Sequence, residues 1–217
     1  TVTQNAGAKT YSSWGAWSIS LSANVTTIAA AGGNATLSTS ATRSRTWQWN
    51  GTGTTYTENA SGSPTLSKVN GAASLSGSTV SYGNNTSTSS RSSVFRATID
   101  SATKDITISQ SAGAKQYSAW SAWTVNISNS GNVAASGGSS NITTSASRTR
   151  TWTWNGVSGS GGTETGTGTP TLSKVSGAGS FASNKVSYDN NTSTSARSTV
   201  IRATMDSVTK DTTVTQN

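Results

Sequence analysis

The chain repeats itself. Thr1-Val-Thr-Gln-Asn-Ala-Gly-Ala-Lys9 returns as Thr107-Ile-Ser-Gln-Ser-Ala-Gly-Ala-Lys115, and its first five residues return once more as Thr213-Val-Thr-Gln-Asn217. Gln4, Gln110 and Gln216 are separated by 106 residues each time. A duplication of this kind requires each copy to bury a core of its own, and about 100 residues suffice for one β-sandwich. The expected organisation is residues 6–111 as one domain and 112–217 as a second. Residues 1–5 are expected to be the last strand of a preceding repeat or an N-terminal edge strand, and the array to be longer than the chain.

The patterning within each copy is that of strands. Trp17, Ile19 and Leu21 alternate with serine, as Trp123, Val125 and Ile127 alternate with polar residues in the second copy; period 2 marks a half-buried strand. Ile28-Ala-Ala-Ala-Gly-Gly33 and Val133-Ala-Ala-Ser-Gly-Gly138 read as turns needing positive φ. Residues 34–50 read as two strands joined by a bend near Ser40–Thr42 or as one long kinked strand, and residues 51–63 and 156–169 as Gly/Thr/Ser loops. Pro64 and Pro170 open short strands, where proline is tolerated. Val94–Asp100 alternates with Phe95, Ala97 and Ile99 inward, and a short turn leads to a last strand with Ile106 and Ile108 inward. No helix is expected. The fold class is all-β: two tandem immunoglobulin-like Greek-key β-sandwiches of about seven strands each.

Apolar residues make up 31% and charged residues 10% of the chain, while tryptophan is abundant at eight. With leucine and isoleucine scarce, the indoles are the expected core anchors, each able to remove about 150–250 Å² from water. There is no cysteine and no histidine. Disulfides and thiolate zinc sites are thereby excluded, and so is the commonest general base. No apolar run approaches the roughly 20 residues of a membrane-spanning helix.

The run Arg91…Arg96-Ala-Thr-Ile-Asp100…Lys104…Thr107-Ile-Ser-Gln110 and its copy Arg197…Arg202-Ala-Thr-Met-Asp206…Lys210…Thr213-Val-Thr-Gln216 resemble the close of BACON and related immunoglobulin-like domains of Bacteroidetes and their phages. Ile28-Ala-Ala-Ala-Gly-Gly-Asn-Ala-Thr-Leu37 is similar to the early strand of such repeats. The resemblance implies tandem arrays, an extracellular, cell-surface or virion-surface setting, and a role in glycan or mucin binding.

Candidate ligand-binding residues are Trp14 and Trp120, Arg43 and Arg45, Arg148 and Arg150. Arg43, Arg45, Trp47 and Trp49 share one strand parity, as do Arg148, Arg150, Trp152 and Trp154. Two readings of this face stand open. It is a platform on which sugar rings stack against indoles, with guanidiniums held by cation–π attraction, or Trp47 and Trp49 fill the core while Arg43 and Arg45 snorkel over its edge. Trp17 belongs to the alternating, core-facing set, and Trp14 lies nearer the junction between repeats.

The seven carboxylates, Glu58, Asp100, Asp105, Glu164, Asp189, Asp206 and Asp211, include no isolated pair. Asp100 and Asp105 bracket a turn, yet both are duplicated as Asp206 and Asp211, which fits surface solvation or pairing with a cation better than a glycosidase pair. No catalytic residue, metal ligand or cofactor is expected. A Lys–Asn cross-link through Lys68 or Lys104 beside Asp100 is a further, weaker reading. The net charge of +8 is carried by singly scattered residues, whereas phosphate tracking needs a stripe, so nucleic acid is not the expected partner. The expected function is a non-enzymatic structural or adhesive module acting as a semi-rigid spacer, whose partners are neighbouring repeats, other copies of itself, or glycans and anionic surfaces. The alternative is a carbohydrate-binding module using the Trp and Arg faces.

Overall fold

The computed structural model describes residues 2–50 and 53–217. By contact density the chain divides into unit 1, Thr1–Gln116 with Thr153–Ser160, and unit 2, Tyr117–Trp152 with Gly161–Asn217. Both are all-β, and no helix occurs among the described residues.

Unit 1 carries β1 (Lys9–Tyr11), β2 (Ser18–Ala23), β3 (Thr27–Ile28), β4 (Gly33–Trp49), β5 (Tyr56–Gly62), β6 (Thr65–Gly71), β7 (Ser74–Ser76), β8 (Thr79–Tyr82), β9 (Arg91–Ile99) and β10 (Ala102–Gln110). The second copy repeats the series as β11 (Lys115–Tyr117), β12 (Thr124–Asn129), β13 (Gly138–Trp154), β14 (Gly162–Gly168), β15 (Thr171–Gly177), β16 (Ser180–Ala182), β17 (Lys185–Tyr188), β18 (Arg197–Met205) and β19 (Val208–Gln216). The elements outnumber the seven expected per copy because several are two- to four-residue pieces at sheet edges.

The region around residues 34–50 is one continuous 17-residue strand. It stays continuous because it changes partners along its length. β8 pairs with residues 33–36, β2 with 37–42, β5 with 41–47 and β1 with 47–49, all antiparallel. The stretches read as loops after Trp49 and Trp154 instead contain β5 and β14, whose Thr/Ser/Gly composition hides a strand that lies on the surface of β4 or β13.

The second sheet of unit 1 has the order β3-β10-β9-β6. The core fills the space between the two sheets: Ala35, Leu37, Val80 and Tyr82 from the first, Phe95 and Ile108 from the second, with Ile28 and Ala73 closing the ends. Unit 2 builds the same interior from Val133, Ile142, Val186, Tyr188, Ile201 and Val214, continuing into Val125, Ala146 and Ala203. Each core holds one phenylalanine, Phe95 from β9 in unit 1 and Phe181 from β16 in unit 2. Volume is redistributed between the facing sheets without being lost. A second exchange works on one methyl group. Ser93 accepts from Ala73 N in unit 1; in unit 2 Thr199 carries the extra methyl, accepts from Gly179 N and faces a glycine, where a Cβ would lie 2.8 Å from Thr199 Oγ1.

The tryptophans are not in these interiors. No indole belongs to the buried set, and Trp49 is 41% exposed. The reading of Trp47 and Trp49 as core is therefore corrected. Aliphatic side chains, one phenylalanine and one tyrosine per copy close the sandwich, and Trp17 and Trp123 pack only at its edge, around Ile99 and Met205.

The repeated glutamine has a structural task. Gln110 is fully buried; its Oε1 accepts from Arg91 Nε at 2.7 Å, and its Nε2 donates to Gly83 O at 2.8 Å and Ala29 O at 3.1 Å. Gln216 does the same with Arg197, Asp189 O and Ala134 O. A buried amide with every polar group engaged ties two loops and the neighbouring strand to the last strand and is costly to replace. Lys68 Nζ donates to Ala73 O at 2.9 Å and Gly71 O at 3.2 Å. Its geometry is that of a cation capping backbone carbonyls and not of a cross-link.

Candidate functional site

The parity of Arg43, Arg45, Trp47 and Trp49 does put them on one face of β4, and the register supplies what lies beside them. Lys9 is opposite Trp49, Tyr11 opposite Trp47 on β1, Tyr56 opposite Trp47 and Glu58 opposite Arg45 on β5. Directly opposed side chains in an antiparallel pair have Cβ atoms about 4.5–5.5 Å apart, so these become neighbours without further design.

Between β1 and β2 the chain runs along the edge of β4 with a different step. Ser12 N donates to Thr46 O and Gly15 N to Ser44 O, at 2.9 and 2.8 Å, and Gly15 sits so close that a Cβ would be 3.1 Å from Ser44 O. Anchors three residues apart make Tyr11, Trp14 and Trp17 recur on one side. Their rings meet the guanidiniums of β4. Arg45 Cζ lies 4.0 Å from the Tyr11 ring centroid and 4.4 Å from Trp14; Arg43 Cζ lies 5.0 Å from Trp14 and 4.3 Å from Trp17. The result is a ladder in the order Tyr11, Arg45, Trp14, Arg43, Trp17.

Unit 2 builds the same ladder from Tyr117, Arg150, Trp120, Arg148 and Trp123, with matching distances of 4.0, 4.4, 4.9 and 4.4 Å. The six candidate residues are thus brought together, three in each unit. Trp14 and Trp120 are the shared central rungs.

Each ladder is tied down at both ends. Arg45 Nε donates to Glu58 Oε2 at 2.6 Å and Arg150 Nε to Glu164 Oε2 at 2.7 Å. Trp17 Nε1 donates to Asp100 Oδ2, and Trp123 Nε1 to Asp206 Oδ2, both at 2.7 Å. Asp100 and Asp206 occupy the left-handed region, at φ 49° and 51°, which Asp tolerates better than most residues and which the two-residue β-hairpin turn demands. Arg43 also reaches Asp100 at 3.8 Å, a long and exposed pairing of little energetic weight. Arg43 Nε and Arg148 Nε are buried without a hydrogen-bond acceptor among the described residues. Both lie against indole faces, where an N–H···π contact is the available substitute.

Beyond Arg45 the face of unit 1 continues into a second cluster. Trp47 stacks on Tyr56 with centroids 4.5 Å apart and planes 18° apart, Trp49 stands edge-on to Trp47 at 5.6 Å, and Lys9 Nζ lies 4.0 Å from the Trp47 centroid. Unit 2 has Gly162 where unit 1 has Tyr56, so the extension differs while the ladder does not. A shallow groove of about 410 Å³ runs beside the unit 1 ladder, lined by Gly15, Ala16, Ser18, Thr42, Arg43, Ser44 and Asn59.

Sequence reasoning missed Glu58 and Asp100 as members of the site; it grouped Tyr11 and Trp17 with Trp14 as an aromatic patch but left both outside the candidate ligand-binding residues. The three-residue spacing of Tyr11, Trp14 and Trp17, set against the two-residue spacing of Arg43 and Arg45, was the available signal.

The remaining acids pair elsewhere. Arg96 grips Asp105 through two bonds of 2.7 and 2.8 Å, and Arg202 grips Asp211 through two of 2.8 Å, across β9–β10 and β18–β19. The hydrogen bond from the guanidinium holds each carboxyl below its ordinary range. A carboxyl depressed in the folded state contributes stability above its unfolded value that is lost as pH falls through the folded one. Thermal melts should therefore show a loss of stability below about pH 4 that is smaller in an Asp105→Asn, Asp211→Asn double variant. Among the described residues no group of three or more acidic side chains converges as a metal site would require. No protein-family model matches the chain, and no curated protein matches it in sequence.

Proposed function

We propose that this protein is a non-enzymatic structural module: tandem immunoglobulin-like sandwiches of an extracellular or virion-surface protein, serving as a semi-rigid spacer or decoration. The observation that carries this reading is the state of the aromatic faces. A sugar-binding platform offers a free ring face, whereas in each unit the guanidiniums of the same strand lie 4.0 to 5.0 Å from the ring centroids of the ladder. The Glu58 and Glu164 partners of Arg45 and Arg150 neutralise charge that an anionic ligand would use. Cation–π contacts of about 0.5–2 kcal/mol each, repeated four times per unit, act as an external brace for a sheet whose outer faces are otherwise serine and threonine. In a chain without cysteine such a brace stiffens the long strand at its unsupported end.

The second reading, a carbohydrate-binding module of the BACON type, draws on the exposed cluster of Trp47, Trp49 and Tyr56, with Trp49 and Tyr56 41% and 44% exposed. A glycan array at low salt separates the two. The spacer reading expects no glycan retained and Trp14→Ala to lower stability by about 1–3 kcal/mol. Micromolar retention of a glycan, lost in Trp14→Ala or Trp49→Ala with the fold intact, would overturn it.

A further inference from the structure

Each unit leaves one long sheet edge open. β5 pairs with β4 and β14 with β13, and neither has a second partner among the described residues. β5 has a complete copy after it in the sequence and β14 a complete copy before it, so the opening belongs to the fold of each copy. An edge of this kind presents a row of backbone N–H and C=O groups to any extended chain.

The other edges are blunted. β6 and β15 follow Pro64 and Pro170, carry Lys68 and Lys174, and are bent by a register shift. β1, β7, β11 and β16 are three residues long. β2 and β12 lie against β10 and β19, and Asn129 Nδ2 closes that seam in unit 2 with a bond of 3.0 Å to Thr213 O. By contrast β5 and β14 run seven residues without a proline, a lysine or a shift. Their one charge, Glu58 or Glu164, is turned onto Arg45 or Arg150 of the neighbouring strand.

β5 is complementary to itself. Laid antiparallel about Asn59, two copies of it oppose Glu58 to Ala60, so that no two carboxylates meet. Thr57 then faces Ser61, a pairing of hydroxyls that strands favour. Tyr56 faces Gly62, the combination in which an aromatic ring covers a bare strand glycine. β14 laid about Thr165 also keeps its glutamates apart, Glu164 facing Gly166, but it has Gly162 where β5 has Tyr56. With Gly162, Gly166 and Gly168 in one strand, its register is weakly specified.

We propose that β5 binds β5 of a second copy of this chain, antiparallel and centred on Asn59, joining two β1-β4-β5 sheets into one. The same patch serves on both sides, so the contact closes as a dimer. It goes beyond the spacer reading: it uses a strand edge and not the aromatic ladder, so a glycan bound or refused by the ladder neither supports nor removes it.

The chain has no cysteine, which permits a register-specific test in the intact protein. Thr57, Asn59 and Ser61 are exposed and face away from the ladder; a cysteine at each is expected to leave melting unchanged. In the proposed pair the two 59 positions are directly opposed, with Cβ atoms about 4.5–5.5 Å apart, as are positions 57 and 61. The two 57 positions lie about 13 Å apart. With a thiol cross-linker of about 7 Å reach, Asn59→Cys should link to itself. Thr57→Cys alone should react about tenfold more slowly or worse, and mixing it with Ser61→Cys should restore the rate. By sedimentation equilibrium the unsubstituted chain should rise above 22.0 kDa toward a dimer and stop there. Half-association is expected at about 0.1–1 mM, because one seven-residue edge buries far less than the about 1,600 Å² of a standard interface. A chain that stays monomeric at millimolar concentration overturns the proposal. So does Thr57→Cys linking to itself as fast as Asn59→Cys, the mark of chance encounter. Preferential linking of Asn59→Cys to Thr165→Cys also overturns it, by showing that β5 docks on β14.

Discussion

Phe95→Ala should cost about 3–5 kcal/mol, while Trp49→Ala costs less than 1. Phe95 is fully buried on β9 in contact with the cluster of Ile28, Leu37, Val80 and Ile108. Removing its ring leaves a cavity between two sheets that are each held by a ladder of hydrogen bonds and cannot collapse onto it. Trp49 is the larger residue but lies on the surface, and its truncation removes an edge contact with Trp47 and a long cation–π contact with Lys9. Denaturant unfolding followed by far-UV circular dichroism reads both. A reversal of the order, with the tryptophan costing more, would mean that the indoles and not the aliphatic layer close the sandwich. In a chain of two units, the Phe95 variant should split one transition into two, the unit 2 transition keeping its midpoint.

Gly71→Ala and Gly177→Ala should each cost about 3 kcal/mol or more. Both glycines sit at φ near 100°, at 97° and 106°, outside the region that a left-handed Asn or Asp uses. A Cβ at Gly71 would lie 2.4 Å from both Ser92 O and Ser93 Cα, and one at Gly177 would lie 2.1 Å from Ser198 O. These are backbone atoms of the paired strand, so relief requires the strand to move. The cause is a register shift just upstream, between Lys68 and Asn70 and between Lys174 and Ser176. The extra residue is Val69 or Val175, pushed outward to 45% and 47% exposure. An extra residue in one strand bends and twists it, and glycine absorbs the turn that follows. Thermal melts of the two variants give the measurement, and a loss under 1 kcal/mol would show that the bulge can relax.

The same bulge marks where sequence reading runs out. Pro64 and Pro170 announced a strand start correctly, but no composition signal separates a bulged Val69 from a core valine. Only pairing with β9 does so.

The ladder was half legible. Shared parity brought Arg43, Arg45, Trp47 and Trp49 to one face, as the structure has them. Parity does not say whether that face looks at the opposite sheet or at solvent, because period 2 is the same for both. The buried positions of β4 are Ala35, Leu37 and Ala41, so the strand leaves the core before Arg43 and its aromatic face is met by β1, β5 and the segment around Trp14. Glu58 and Tyr56 were out of reach because β5 has no apolar alternation of its own; it is a strand through its bonds to β4.

The sequence by itself settled the duplication, the all-β class and the alternating strands Val94–Ile99 and Ile106–Gln110, since repeats and period 2 are local properties of the chain. The tertiary structure decided what fills the interior. Burial depends on which sheet lies opposite, and that placed phenylalanine and aliphatic residues inside while holding the tryptophans outside against arginine.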